Sequence, residues 1–142
     1  MSEPDTETLH ASTVAIDGRA VLIEGPSGAG KSDLALRLID RGAILVSDDY
    51  TVVKALDEGL IASPPPTIAG RIEVRGLGIL DLPVMAAAPV ALFITLVDEP
   101  ERMPEPASRL IAGRPVRMLA LDPFTASAPI KVELAMRREM PA

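Results

Sequence analysis

The sequence predicts a mixed α/β domain built on one central sheet with both antiparallel and parallel strands. Three observations predict it. Short β-rich runs alternate with two segments of helical spacing. Asp17-Gly18 joins two of those runs as a tight hairpin, which a purely parallel sheet lacks. A glycine-rich loop, Gly25 to Gly30, stands between an apolar run and a helical one. With 142 residues, the chain makes one domain over 1–142, with residues 1–8 expected as a flexible leader.

Taken in order, Thr13 to Ile16 and Arg19 to Glu24 are the arms of the hairpin, because Asp and Gly both tolerate the positive φ of its turn. Lys31 to Arg41 carries Leu34, Leu38 and Arg41 at helical spacing, and Gly42 suits the C-cap. Ile44-Leu45-Val46 is a short strand that ends at Ser47-Asp48-Asp49. Thr51 to Leu56, Gly78 to Leu82, Val90 to Val97 and Val116 to Leu121 are further β-like runs. Pro64-Pro65-Pro66 and the stretch from Glu99 to Pro106 are surface loops. Ser127 to Met140 is a last helix, with Pro129 near its start, where proline is tolerated.

Composition narrows the function. There is no cysteine, which removes disulfides, thiolate metal sites and cysteine nucleophiles. His10 is the sole histidine, so a multi-histidine metal site is excluded. The net charge of −6 and an aromatic content of 2% speak against nucleic acid as a partner. The longest apolar run, Leu82 to Val97, has 16 residues and holds Pro83 and Pro89; it reads as an irregular segment and a buried strand, not a membrane span. The polar, acidic start resembles no secretory signal, so a cytoplasmic protein is expected.

The chemistry begins at Gly25-Pro26-Ser27-Gly28-Ala29-Gly30-Lys31-Ser32, which fits G-x-x-x-x-G-K-[ST], the phosphate-binding loop. Its glycines let the backbone form a nest of N–H groups, and the helix behind it presents its positive end to the same anion. Lys31 is placed to reach phosphate oxygens and Ser32 to ligate Mg²⁺. Asp48-Asp49 follows 17 residues after Lys31, at the carboxyl end of a strand, where ligands of α/β folds gather. One of these acids can take a proton from an attacking hydroxyl while the other orients it or supports a metal. In Glu73-Val74-Arg75-Gly76-Leu77-Gly78-Ile79, the glycines flanking Leu77 predict a sharp turn or a close approach, and Glu73 and Arg75 share a side if the segment is extended. His10 lies 15 residues before Gly25, on a strand expected to pair beside the one that feeds the loop.

Leu9-His10, the loop Gly25 to Ser32, Asp48-Asp49 and Glu73 to Ile79, in that order, resemble the catalytic domain of the HPr kinase/phosphorylase family. The resemblance covers residues 9–82 and is thin from Pro83 onward. It implies a P-loop domain related in topology to phosphoenolpyruvate carboxykinase. It also implies ATP- and Mg²⁺-dependent phosphorylation of a serine on HPr, a phosphocarrier protein, and phosphorolytic removal of that group to give pyrophosphate. Gly25 to Ser32 would hold the donor phosphates, pyrophosphate or inorganic phosphate. Lys31 would stabilise the transferring group, and Ser32 and Glu73 would serve Mg²⁺. One of Asp48 and Asp49 would be the base, with His10 setting the charge state of the pair. Family members form hexamers, so a homo-oligomer is implied. Longer members carry an N-terminal domain not found in these 142 residues. The family's late arginine has no counterpart in register, and Lys131 is the candidate substitute. A small-molecule kinase, with Arg102 and Arg109 on a lid, and a nucleotide-sensing module without transfer activity are the alternatives.

Overall fold

A computed structural model describes residues 5–26 and 28–137, so Ser27 of the glycine loop and the last three residues of the expected final helix lie outside the described residues. Eleven strands and two α-helices are seen among them: β1 (Thr6–Leu9), β2 (Ala11–Ile16), β3 (Arg19–Glu24), α1 (Lys31–Asp40), β4 (Ile44–Ser47), β5 (Thr51–Leu56), β6 (Gly59–Ser63), β7 (Arg71–Val74), β8 (Gly78–Asp81), β9 (Ala88–Leu96), β10 (Ala107–Ile111), β11 (Arg114–Leu121) and α2 (Ala128–Arg137). Nine strands make one curled mixed sheet, in the order β1-β5-β6-β9-β3-β2-β4, with β11 also on β9 and β10 at its edge. β7 and β8 form a separate hairpin.

The expected mixture of directions is present. β2 pairs antiparallel with β3 from Ala11↔Glu24 to Ile16↔Arg19, through a turn whose Asp17 and Gly18 have φ of 51° and 78°. β3 and β11 pair parallel with β9. Ala20 to Ile23 of β3 and Leu92 to Ile94 of β9 are buried without a break, which accounts for the consecutive apolar residues at the centres of these strands.

Alternation along β3 divides the core. Ala20 and Leu22 point into a cluster enclosed by the curl of the sheet, with Phe93, Val53 and Ile111. Val21 and Ile23 face the helices and meet Leu34, Leu38 and Val132. α1 ends where expected: Gly42, at φ 111°, donates its N–H to the Ile39 carbonyl. Arg41 clamps Glu133 of α2 at 2.7 Å, and that hydrogen bond raises the guanidinium pKa above its ordinary value.

Thr6 to Thr8, in the stretch 1–8 expected to be flexible, form strand β1 together with Leu9, and the strand pairs antiparallel with Lys54 to Thr51. Its short polar sequence hides the pairing, because the strand lies at a sheet edge and buries only Leu9. The turn expected from the glycines flanking Leu77 is present: Arg75 opens the β7–β8 hairpin turn, where Leu77 N bonds the Val74 carbonyl at 2.9 Å. β6, β7 and β10 were not foreseen. Each has only four or five residues, too few for a period to declare itself. Among the described residues, no helix is long and apolar enough to cross a membrane.

Candidate active site

The start of β2 is the hub of the site. Ala11 pairs with Glu24, the last residue before the glycine loop, and Thr13 pairs with Ser47, the last residue before Asp48. The carboxyl ends of β3 and β4 therefore flank the same strand. His10 is the single residue between β1 and β2, and Leu9 pairs with Thr51 while Thr13 pairs with Ser47, so the bend at His10 faces the one at Asp48-Asp49.

The cradle has the backbone that its glycines predict. Gly28 and Gly30 sit at φ 83° and 102°, a region L side chains avoid. Gly30 caps α1, accepting from Leu34 N at 2.9 Å, and, being glycine, makes no side-chain bond to the first N–H groups of the helix. Those donors and the positive end of α1 are available to an anion. A Cβ on Gly25 would lie 3.1 Å from the Ala29 side chain, so the loop closes on itself tightly there. Lys31 is 5% exposed, its ammonium 3.7 Å from Asp49 Oδ1.

The two acids are in different environments. Asp48 is buried and accepts three hydrogen bonds: from Ser32 Oγ at 2.6 Å, from Ser12 Oγ at 2.8 Å and from Glu73 N at 3.0 Å. It ties the phosphate loop, β2 and the β7–β8 hairpin to one carboxylate. Asp49 has a half-exposed side chain and adopts φ 66°, uncommon for a residue with a Cβ. Its Oδ1 lies 2.7 Å from His10 Nε2, and its N–H donates to Ser12 Oγ at 3.1 Å. The His10 ring stacks on Tyr50 at 4.9 Å. Asp48 is thus an organiser with its lone pairs engaged, and Asp49 is a carboxylate within reach of solvent and of a buried ammonium.

An open cleft of about 560 Å³ runs from the cradle. Gly28, Gly30, Lys31 and Ser32 line one side, and Glu73, Val74, Arg75 and Gly76 of the hairpin line the other. Ser32 and Glu73 bring hard oxygen donors to it, with Asp48 behind Ser32, the donor chemistry Mg²⁺ takes when phosphates complete its shell. Among the described residues, no group of three acids or histidines could hold a metal alone.

Of the residues expected to act, His10, Gly28, Gly30, Lys31, Ser32, Asp48, Asp49 and Glu73 are brought together here. Lys131 is on the exposed side of α2 and does not line the cleft; the guanidinium that does is Arg75. Arg109 is bound to Glu24 at 2.6 Å and lies over the Phe93 ring, so it is not free for a lid. Ser12, Tyr50 and Phe124 belong to the site and were not foreseen. Only Ser12 carried a signal, two residues beyond His10 on a strand that returns to the loop.

A glycine-rich turn at a helix start, a locked acid and a reachable acid stand together on one curled mixed sheet, in a domain of the mixed α/β class. Comparison with known proteins narrows the class. The model of the HPr Serine kinase C-terminal domain matches residues 4–90, and the chain belongs to that family. HPr kinase/phosphorylase of Clostridium tetani is 49% identical over 80 residues, 56% of this chain. That of Clostridium beijerinckii is 48% identical over 79 residues, also 56% of the chain. The match spans only 26% of the length of each of these relatives. The structure of the Hpr(Ser) kinase/phosphatase from Coxiella burnetii superposes with a TM-score of 0.79 at 35% identity, covering 92% of this chain and 94% of that one.

Proposed function

We propose that this domain is a cytoplasmic, ATP- and Mg²⁺-dependent serine kinase of an HPr-like phosphocarrier protein, and that the same site removes the phosphate by phosphorolysis. The observation that carries the reading is Asp49, a reachable carboxylate 3.7 Å from the phosphate-loop ammonium and 2.7 Å from His10.

In the forward direction Asp49 takes the proton of the seryl hydroxyl as its oxygen bonds to the γ-phosphorus. The bond from that phosphorus to the β–γ bridging oxygen breaks, and ADP leaves. Lys31 and the cradle N–H groups balance the charge on the phosphoryl oxygens. His10 holds the Asp49 carboxylate in place. Ser32 and Glu73 would hold Mg²⁺, which supplies charge neutralisation at the phosphates when bound. In reverse, inorganic phosphate in the cradle attacks phosphoserine, the serine–phosphorus bond breaks, and Asp49 returns the proton to the seryl oxygen as pyrophosphate forms. The departure of Lys131 from the cleft leaves Arg75 as the guanidinium placed to assist either direction.

The test is incubation with γ-labelled ATP and a purified HPr-like protein, followed by mapping of the label. One modified serine, lost in Asp49→Asn, is expected. Label that passes only to small metabolites would establish a small-molecule kinase instead.

A further inference from the structure

The cleft that begins at Lys31 and Ser32 also contains an exposed aromatic ring. The chain has three aromatic residues in all, Phe93, Phe124 and Tyr50. Phe93 is in the core, and Tyr50 is stacked on His10. Phe124 is 69% exposed and lines the cleft with the cradle residues. A large apolar ring left in water at the edge of an anion site is informative in a way that a scattered leucine is not.

The ring is held in place. Asp122 Oδ1 accepts the Phe124 N–H at 2.9 Å, turning the loop between β11 and α2. Arg37 of α1 donates to the Pro123 carbonyl and, at 3.2 Å, to the Thr125 carbonyl. Pro123 packs on Gly30, where a Cβ would meet it at 3.2 Å and the Phe124 ring at 3.5 Å. The loop is thus fastened to the cradle's own helix on both sides of the ring. Leu36 and Val74 supply further apolar surface in the same cleft, while His10 and Asp49 do not line it. The ring is therefore on the donor's side of Lys31 and not on the side where an acceptor hydroxyl meets Asp49.

We propose that Phe124 is the base-stacking residue of the donor site, so that a nucleoside di- or triphosphate lies with its base on this ring and its phosphates in the cradle. The inference rests on the kinase reading above and adds what that reading leaves open: how a site that recognises bare phosphates prefers a nucleotide. Every base offers a π face, so one rigid ring suffices to favour nucleotides over pyrophosphate without reading the base edge.

The experiment measures binding of ATP and of pyrophosphate separately, by calorimetry on the whole chain without acceptor protein. Phe124→Ala is expected to weaken ATP about tenfold, the size of one lost base stack, and to leave pyrophosphate unchanged. Phe124→Trp should keep ATP affinity. Its indole would be the only one in the chain, and its fluorescence should be quenched by ATP and not by pyrophosphate. Equal weakening of both ligands in Phe124→Ala, undiminished ATP affinity, or no quenching in Phe124→Trp would overturn the proposal. Lys31→Ala separates the two readings. If it leaves both ligands bound as before, the phosphate cradle itself is wrong, whatever Phe124 does.

Discussion

Asp49 Oδ1 lies 2.7 Å from His10 Nε2, across 39 residues of chain, and the contact joins the bend between β1 and β2 to the bend between β4 and β5. The neighbouring acid, Asp48, makes its contacts inward to Ser12, Ser32 and the Glu73 N–H. Adjacent residues of the same chemical type are thereby given different work. Asp49→Asn should lower phosphoryl transfer by about 100- to 10,000-fold, the usual worth of a general base, and leave ATP affinity within about twofold. Asp48→Asn should instead weaken ATP·Mg²⁺ binding and lower the melting temperature. Rate, affinity and thermal unfolding measured on both variants check the division; identical losses in the two would refute it.

His10 touches Asp49 and Tyr50, both partly exposed, so its removal costs stability no more than about 1 kcal/mol. Its effect is on position. His10→Ala frees the Asp49 carboxylate to swing toward Lys31, and kcat should fall by about ten- to a hundredfold with little change in KM for ATP. His10→Gln, whose amide can still donate to Asp49, should recover part of that loss. A KM effect equal to the kcat effect would argue that His10 belongs to the donor site.

Gly30 is constrained twice, by φ of 102° and by Pro123 only 3.2 Å from where a Cβ would stand. Gly30→Ala should destabilise the fold by about 1–3 kcal/mol, through backbone strain and displacement of the Pro123 loop. The melting temperature should drop by several degrees, and ATP should bind more weakly because α1 and the cradle shift together. Gly18→Ala, which has open space around it but φ of 78°, should cost less and leave binding intact.

Much of this site was legible in the sequence, and the reasons differ by element. The β2–β3 hairpin, the glycine loop and α1 are local: a turn dipeptide, a nest and a 3.6-residue period each declare themselves within ten residues. The union of His10 with Asp48-Asp49 is not local. It was legible only as a family pattern, because it depends on β1 pairing with β5 and β2 with β4. The curl that closes the sheet was hidden for the same reason: β6 and β10 are short, and register between distant strands leaves no periodic trace. The turn after Arg75 was legible from the two glycines that flank Leu77, and Gly76 takes φ of 91° there. Phe124 gave no warning, since a lone aromatic after Asp-Pro has no spacing to read.

The β7–β8 hairpin lies outside the main sheet, and Ile72, 1% exposed, anchors it among the α1 and β9 side chains. Ile72→Ala leaves a cavity costing about 2–5 kcal/mol. Because Glu73 N bonds Asp48 and Glu73 and Arg75 line the cleft, the loss should also reach the chemistry. Transfer should fall several-fold at temperatures where the fold is still intact by circular dichroism. Ile72→Val should do neither to a comparable degree. Full activity in folded Ile72→Ala would show that the hairpin holds its place without this anchor.

Ser12 is the least conspicuous residue of the site and the most tightly used. Fully buried, it donates to Asp48 Oδ1 at 2.8 Å and accepts from Asp49 N at 3.1 Å, so one hydroxyl fixes both acids. Ser12→Ala removes a partner from a buried carboxylate and orphans the Asp49 amide, at a cost of about 1–3 kcal/mol. The Asp49 backbone, already at φ 66°, then loses a contact that holds it there. Both the melting temperature and kcat should fall, and Ser12→Thr should restore the hydrogen bonds while crowding a site with no free space. If Ser12→Ala were as active and as stable as the parent, Asp48 would have to be held by Ser32 and the Glu73 N–H, and Asp49 by β4 and His10. The His10→Ala variant would then be expected to lose far more than a hundredfold in kcat.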